Sequence, residues 1–196
     1  MIAWVFILAR KGSKRCPDKN VMPFDKDGTL VDRALRKLIK IAEIGDVSRI
    51  VLDTDIPMYL EKYKDHPSVS VIERDPALAG DDINPADIVY HDLKLMMDGT
   101  GSRPDCIVLS QATSPFWDEI DLGVCLDCIF ENESGVISVN PSYKPNGCLY
   151  VILTEAFLAE RTFFPKNVGF YKMKWWKSID IDYLWDFRVA QAVLNE

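Results

Sequence analysis

The sequence predicts an α/β fold, a three-layer sandwich in which helices cover both faces of a mainly parallel sheet. Short apolar runs alternate with amphipathic stretches along the 196 residues. Continuous apolar runs are typical of strands buried on both faces, and amphipathic stretches are typical of helices that cover them. Alternating strands and helices therefore indicate one sandwich, and we expect a single domain over residues 1–196.

The strands and helices follow from this pattern in order. Apolar runs predict strands at residues 2–8, 49–52, 69–72, 106–109 and 135–139. Amphipathic stretches predict helices at 30–44, 57–64, 85–97 and 120–131. Two further strands are predicted at 147–153 and 169–174, and a closing helix at 185–194.

The charge balance excludes some partners. Lys and Arg number 23 against 30 Asp and Glu, which gives a formal net charge of -7. Such a chain lacks the basic surplus that binding to nucleic-acid phosphates needs, so we expect a small anionic substrate instead. The apolar start, residues 1–8, is short and runs directly into charged residues, so we expect neither a signal peptide nor a membrane segment, and a cytoplasmic location.

A basic loop follows the first predicted strand, where ligands sit in parallel α/β sheets. Residues 9–20 carry five cations and one glycine: Arg10, Lys11, Lys14, Arg15 and Lys19, with Gly12. Cationic side chains beside freed backbone amides can cradle a triphosphate. A solvated basic loop explains the composition equally well, because the string matches neither the P-loop nor the dinucleotide pattern.

Four ordered motifs and one further segment resemble those of the acylneuraminate cytidylyltransferases, also called CMP-sialic acid synthetases. Residues 9–20 resemble the A-R-x-G-S-K-R-x-P-x-K-N signature, and 110–115 resemble its Q-P-T-S-P loop. Residues 144–147 are similar to its R-P-N-G turn, 178–182 to its S-I-D-I-D motif, and 74–81 to its R-x-x-x-L-A-x-D segment. The resemblance spans nearly the whole chain and implies the nucleotide-diphospho-sugar transferase, Rossmann-like, type of fold.

The resemblance also implies roles for individual residues. Nucleotide contacts are expected from the backbone of Leu8 and Ala9, which would meet the cytosine, and from Arg10, Gly12, Ser13, Lys19, Asn20 and Arg74. Gln111 and Asn146 would face the sugar. Arg10, Lys19 and Asp182 are the expected catalytic residues.

Asp180 and Asp182 form a predicted metal site. Alternate side chains of an extended segment project to the same side, so both carboxylates can reach one ion. Oxygen ligands together with substrate phosphates suit Mg²⁺. An exposed acidic strand end is the alternative for this pair taken alone.

The implied reaction joins CMP from CTP to the anomeric hydroxyl of a 2-keto sugar acid, sialic acid or a related nonulosonate, and releases pyrophosphate. Mg²⁺ is the expected cofactor, and CTP and an acidic keto sugar are the expected partners. Asp182, or a hydroxide beside it, would take the sugar proton.

The chain departs from the family where the acceptor should bind. Only residues 140–143 separate the strand at 135–139 from Lys144, whereas relatives carry a long arm there that supplies dimer contacts and part of the sugar pocket. Its absence leaves open whether the chain forms a homodimer and whether sialic acid or another acid sugar is the acceptor. A catalytically idle nucleotide-binding relative also remains open.

A rival motif lies at residues 25–30. Asp25 and Asp27 stand in a D-x-D-G-T-L string like that of haloacid-dehalogenase-type phosphatases. In that family the first Asp directly follows a core strand, whereas here it follows a segment that contains Pro23. An Asp-Gly turn before the helix at 30–44 is the alternative interpretation.

Overall fold

A computed structural model describes residues 1–45, 47–129 and 134–194 of the chain. The strands are β1 (Ala3–Ala9), β2 (Arg49–Thr54), β3 (Val69–Glu73), β4 (Cys106–Ser110), β5 (Gly135–Val139), β6 (Pro145–Leu153) and β7 (Val168–Lys172). The helices are α1 (Leu30–Ile44), α2 (Pro57–Tyr63), α3 (Pro85–Thr100), α4 (Glu119–Cys128), α5 (Thr154–Glu160) and α6 (Leu184–Leu194). Short 3-10 helices lie at Pro76–Leu78 and Trp175–Ser178.

The seven strands form one sheet in the order β3-β2-β1-β4-β6-β5-β7. Strand β6 is antiparallel to both β4 and β5, and the other neighbouring pairs are parallel. The prediction of a mainly parallel sheet is therefore confirmed.

The core has two halves, one on each face of the sheet. Val5 and Ile7 of β1 belong to one hydrophobic cluster, and the alternate residues Trp4 and Phe6 belong to the other. The first cluster includes residues of α1, α2, α4 and α6, and the second includes residues of α3 and α5. Because successive strand side chains point to opposite faces, this division produces the predicted three layers.

The predicted elements differ from the structure mainly at their ends. Helix α3 continues past its predicted end at Met97 to Thr100, where Gly101, in a left-handed conformation at φ 65°, ends it. Residues 130 and 131 of the helix predicted at 120–131 lie outside the described residues. Helix α5 was not predicted, because its seven residues directly follow β6 without a side-chain N-cap hydrogen bond.

Because β6 runs antiparallel to β4, its first residues lie at the edge of the sheet where β4 ends. Ser110, the last residue of β4, pairs with Leu149, so residues 145–148 lie beyond the carboxyl end of β4. The turn from β5 to β6 is tight, because the Asn140 amide donates to the Lys144 carbonyl at 2.8 Å. None of the described helices is both long and apolar enough to cross a membrane.

Candidate active site

A cleft of about 610 Å³ opens beyond the carboxyl ends of β1 and β4. Eight of the residues predicted from the sequence line it: Leu8, Arg10, Ser13, Lys19, Asn20, Arg74, Gln111 and Asp182. The fold therefore brings residues from the beginning, middle and end of the chain into one cavity.

Acidic partners hold the basic loop in the cleft wall. Asp81 forms ion pairs with both Arg10 and Lys14 from across the cleft. The Lys14 ammonium, with help from Arg10, holds the pKa of Asp81 below its usual value, although desolvation opposes them. The Asn20 amide Nδ2 donates to the Arg10 carbonyl at 3.0 Å, which joins the two ends of the loop.

Lys19 connects this loop to the predicted metal motif. Its Nζ donates to the Ile181 carbonyl at 2.6 Å and lies 3.9 Å from Asp182 Oδ1. Burial lowers the pKa of Lys19, while the carboxylates of Asp180 and Asp182 oppose that effect. Arg15 also reaches Asp182 Oδ1, at 2.9 Å, so the cations of the basic loop and the acidic motif meet here.

Asp180 has the properties of a cation ligand. Its Oδ1 atom is buried without a hydrogen-bond partner. Burial is the main cause that raises its pKa, and the neighbouring Asp182 carboxylate adds to the rise, while a hydrogen bond from the Thr113 side chain and the charge of Lys19 oppose it. A buried carboxylate oxygen is unfavourable without a compensating charge or donor, and a divalent cation would supply that charge.

The metal ligands available from the protein are few. Within the described residues, no group of three or more His, Cys, Asp or Glu side chains could hold an ion. Asp180 and Asp182 would therefore need ligands from a substrate. This fits Mg²⁺, which is commonly held by one or two carboxylates, phosphates and waters.

Gly147 lies between the candidate acceptor and metal residues. It adopts φ 77°, and a methyl carbon placed on it would lie 3.3 Å from Gln111 Oε1 and 3.5 Å from Asp180 Oδ2. The positive φ favours glycine, and the close approach leaves little room for a side chain. The backbone of β6 therefore forms part of the wall between these two groups.

Four predicted residues, among them the candidate metal ligand Asp180, do not line the wall of the main cleft. Ala9 is fully buried, and Gly12 lines a separate cavity of about 80 Å³ behind the basic loop. Asn146 is directed into the protein, where Ser138 Oγ donates to its Oδ1 at 2.6 Å and its Nδ2 donates to Ser178 Oγ at 3.0 Å. These bonds tie β6 to the segment before Asp180, and contact of Asn146 with a sugar stays a prediction.

Two buried aspartates near Arg74, which itself lines the cleft, were not predicted from the sequence. Arg74 is 4% exposed and forms an ion pair with Asp53 of β2, while Asp92 of α3 is fully buried nearby. The sequence of α3 contained one indication of Asp92, because this residue stands on the apolar stripe of the helix between Ile88 and Leu93. A charged residue on a buried stripe indicates a paired or functional group.

The rival phosphatase motif forms a closed turn. Asp25 accepts from the Asp27 amide at 2.9 Å and pairs with Arg33 at 3.1 Å and Arg36 at 2.9 Å. Burial acts to raise the pKa of Asp25, but these donors outweigh it and lower the pKa. The carboxylate lies in a turn that leads into α1, as the Asp-Gly interpretation predicts, and it does not line the main cleft.

We expect Asp25→Asn to leave any nucleotidyl transfer of the kind that the motifs imply little changed, because the described contacts of Asp25 are with the turn and α1. The variant should lose about 1–3 kcal/mol of unfolding free energy, since two guanidinium groups lose a charged partner. Turnover per folded molecule and a urea melt measure the two effects. If the folded variant has no activity, the phosphatase interpretation gains support.

A sequence model of the cytidylyltransferase family matches residues 4–146, which include the basic loop, Arg74 and Gln111. The chain belongs to the cytidylyltransferase family. The match covers most of the chain and confirms the resemblance that the motifs predict.

Individual relatives of the chain are cytidylyltransferases as well. The N-acylneuraminate cytidylyltransferases of Streptococcus agalactiae serotype V and serotype III are each 25% identical over 216 residues. The alignment covers 92% of this chain and 50% of the relative, so the chain spans about half the length of these proteins. Because the aligned region is longer than the 196-residue chain, the relatives carry residues within it that this chain lacks.

Solved structures share the fold. A CMP:2-keto-3-deoxy-manno-octonic acid synthetase complexed with CTP superposes with a TM-score of 0.69 at 11% identity, over 100% of this chain and 99% of that one. The 4-diphosphocytidyl-2C-methyl-D-erythritol synthase of Anaerococcus prevotii gives a TM-score of 0.63 at 11% identity, over 100% and 98%. These likenesses confirm the predicted nucleotide-diphospho-sugar transferase type of fold.

Proposed function

We propose that this chain transfers CMP from CTP to the anomeric hydroxyl of a 2-keto sugar acid and releases pyrophosphate. The contact of Lys19 with the Ile181 carbonyl is the observation that carries the proposal, because it joins the basic loop to the segment of Asp180 and Asp182. Family membership supports CTP as the nucleotide. The names of the relatives support a keto sugar acid as the acceptor.

In the proposed reaction the anomeric oxygen attacks the α-phosphorus of CTP, and the bond from that phosphorus to the bridging oxygen breaks. Pyrophosphate leaves with the electron pair of that bond. Arg10 and Lys19 would bind the phosphates and balance their charge, since each can donate charge-assisted hydrogen bonds. Asp182 would accept the proton of the sugar hydroxyl.

Asp180 and Asp182 would hold Mg²⁺ together with phosphate oxygens. The buried Oδ1 of Asp180 supports this assignment, because no described residue donates a hydrogen bond to that atom. Bound there, the ion would supply positive charge beside the reacting phosphate. The protein groups would supply the orientation of the two substrates, which accounts for much of the rate in such transfers.

Gln111 is the residue we assign to the acceptor. It lines the cleft, and its Oε1 lies 3.4 Å from the Thr113 hydroxyl. Lys144, in the place of the family's Arg, is exposed at the β5–β6 turn and would give a carboxylate one point charge without a two-pronged contact. We therefore propose an acid sugar as the class of acceptor. The experiment below determines how many carbons it has.

The deciding experiment follows pyrophosphate release with each of the four nucleoside triphosphates, Mg²⁺ and a panel of eight-carbon and nine-carbon keto sugar acids. We expect release with CTP and at least one acid, and none with the matching sugars that lack the carboxylate. CTP should also raise the Tm more than ATP or GTP, because a ligand that binds only the folded state stabilises it.

A catalytically idle nucleotide-binding relative is the second candidate. It predicts the same rise in Tm with CTP but no pyrophosphate with any acceptor. Equal rises in Tm with all four nucleotides would contradict the cytidylyl assignment.

A further inference from the structure

A buried cluster of three ionisable groups includes Arg74, which lines the cleft, and two aspartates that do not. Arg74 Nε donates to Asp53 Oδ1, and Nη2 forms an ion pair with the same atom. Asp53 is 1% exposed, Arg74 is 4% exposed and Asp92 is fully buried. Two carboxylates therefore accompany a single guanidinium group in a part of the protein that water scarcely reaches.

The fold places the two carboxylates on the same face of the sheet. Asp53 follows Val51 by two residues in β2, so both side chains project toward the layer that contains α3. Asp92 belongs to the buried stripe of α3. The Arg74 amide donates to the Thr54 carbonyl at 3.0 Å, which fixes the backbone of Arg74 beside the end of β2.

The cluster contains two carboxyl groups but only one guanidinium group, so its charges need not balance. Asp92 Oδ2 is buried without a hydrogen-bond partner, and only the half-exposed His91 contacts Oδ1, at 3.1 Å. If both carboxylates were ionised, the cluster would carry one uncompensated negative charge, which is unfavourable in a buried site. A neutral Asp92 removes that charge and leaves Asp53 as the counterion of Arg74.

We propose that Asp53 is a positioning residue that holds the Arg74 guanidinium group in the cleft floor for contact with the bound nucleotide. This inference rests on the proposed function, because Arg74 lines the cleft assigned to CTP. Nη1 takes no part in the contact with Asp53 and is left for a ligand. A guanidinium group fixed before binding loses less conformational entropy when the ligand arrives.

The proton of Asp92 provides an independent measurement of the cluster. Burial, and then the Asp53 carboxylate, raise the pKa of Asp92 to about 7, while His91 and Arg74 oppose them. Asp53 faces Arg74, Asp55 and His91 as well. An unfolded Asp has a pKa of about 3.9, so between about pH 4 and 7 the folded protein binds a proton that the unfolded chain has lost. The contribution of Asp92 to stability should therefore be largest at the acid end of this window and be lost as pH rises to about 7.

The test compares Asp53→Asn with Glu73→Gln, which removes one negative charge from an exposed residue next to Arg74. CTP affinity is measured by calorimetry with Mg²⁺, and unfolding is measured from pH 4 to 8. We expect Asp53→Asn to fold, because Asp92 can ionise and pair with Arg74, and to bind CTP at least about tenfold more weakly, the scale of one charged hydrogen bond. Glu73→Gln should bind CTP as the wild type does.

The pH arm separates positioning from general damage to the fold. In Asp53→Asn the fall of stability between pH 4 and 7 should largely disappear, because Asp92 becomes the counterion, and Asp92→Asn should remove it too. Glu73→Gln should keep it. An unchanged pH dependence in both aspartate variants overturns the shared-proton cluster, and CTP affinity of Asp53→Asn within twofold of the wild type overturns the positioning role.

Two further outcomes are informative. If Asp53→Asn does not fold, Asp53→Glu keeps the charge but displaces the carboxylate, and unchanged CTP affinity in that variant overturns the positioning role. If the wild type binds no CTP, the proposed function fails and the positioning role fails with it, while the pH arm still shows whether the cluster shares a proton.

Discussion

Asp182→Asn is expected to lower turnover by about 10²–10³-fold, the scale of the several kcal/mol that a catalytic ion contributes. Asparagine keeps the shape of the side chain but removes one negative charge from the proposed Mg²⁺ site. CTP binding without Mg²⁺ should not weaken, because the change removes an anion that pairs with Arg15 at 2.9 Å and lies near Lys19. Steady-state turnover with Mg²⁺ and calorimetry without it measure the two effects.

The second carboxylate provides the control for a shared ion. Asp180→Asn should act in the same direction, and the double variant should lose little more than either single variant if both residues serve one ion. Asp127→Asn removes the same charge from the exposed side of α4 and should leave turnover unchanged. Near-normal turnover of Asp182→Asn at low Mg²⁺ would show that the metal site is wrong.

Lys19→Met is expected to reduce kcat/KM for CTP by about 10²–10³-fold, comparable to the loss of one donor that stabilises developing charge. Methionine retains the apolar part of this largely buried side chain, whose exposed fraction is 14%. It removes the ammonium group that donates to the Ile181 carbonyl. Kinetics over a range of CTP concentrations measure the loss.

Lys11→Met is the matched control for this change. Lys11 lies in the same loop and has an exposed side chain. Its described hydrogen bond is made by the backbone amide, which donates to Asp55 Oδ1 at 2.6 Å and would be kept in the variant. The variant should keep nearly normal kinetics. Equal losses in Lys11→Met and Lys19→Met would mean that the overall charge of the loop matters and that the position of Lys19 does not.

The sequence contained most of the information that defines the fold. Apolar runs predicted the strands because each is buried on both faces, as the two clusters around β1 show. The direction of β6 could not be predicted in this way, since a buried strand reads the same in a parallel or an antiparallel sheet. That direction is what brings residues 145–148 to the cleft.

The site was partly predictable for a related reason. Arg10, Lys19 and Asp182 stand in contiguous motifs, so their chemistry is visible in the string of residues. The proposed role of Asp53 depends on its contact with Arg74, which lies in another segment. The proposed role of Asp92 depends on its burial. Sequence separation hides such pairs, and only a charged residue on an otherwise apolar stripe gave a sign of one.

The bare backbone at Gly147 means that the proposed site could be disturbed by an added side chain as well as by the loss of one. A side chain at this position would be strained by the φ of 77°, and its first carbon would lie 3.3 Å from Gln111 Oε1, although Gln111 itself had not changed. A homologue could thus retain every charged residue of the site and still be inactive. Position 147 therefore belongs among the residues that decide whether a related sequence encodes a working enzyme.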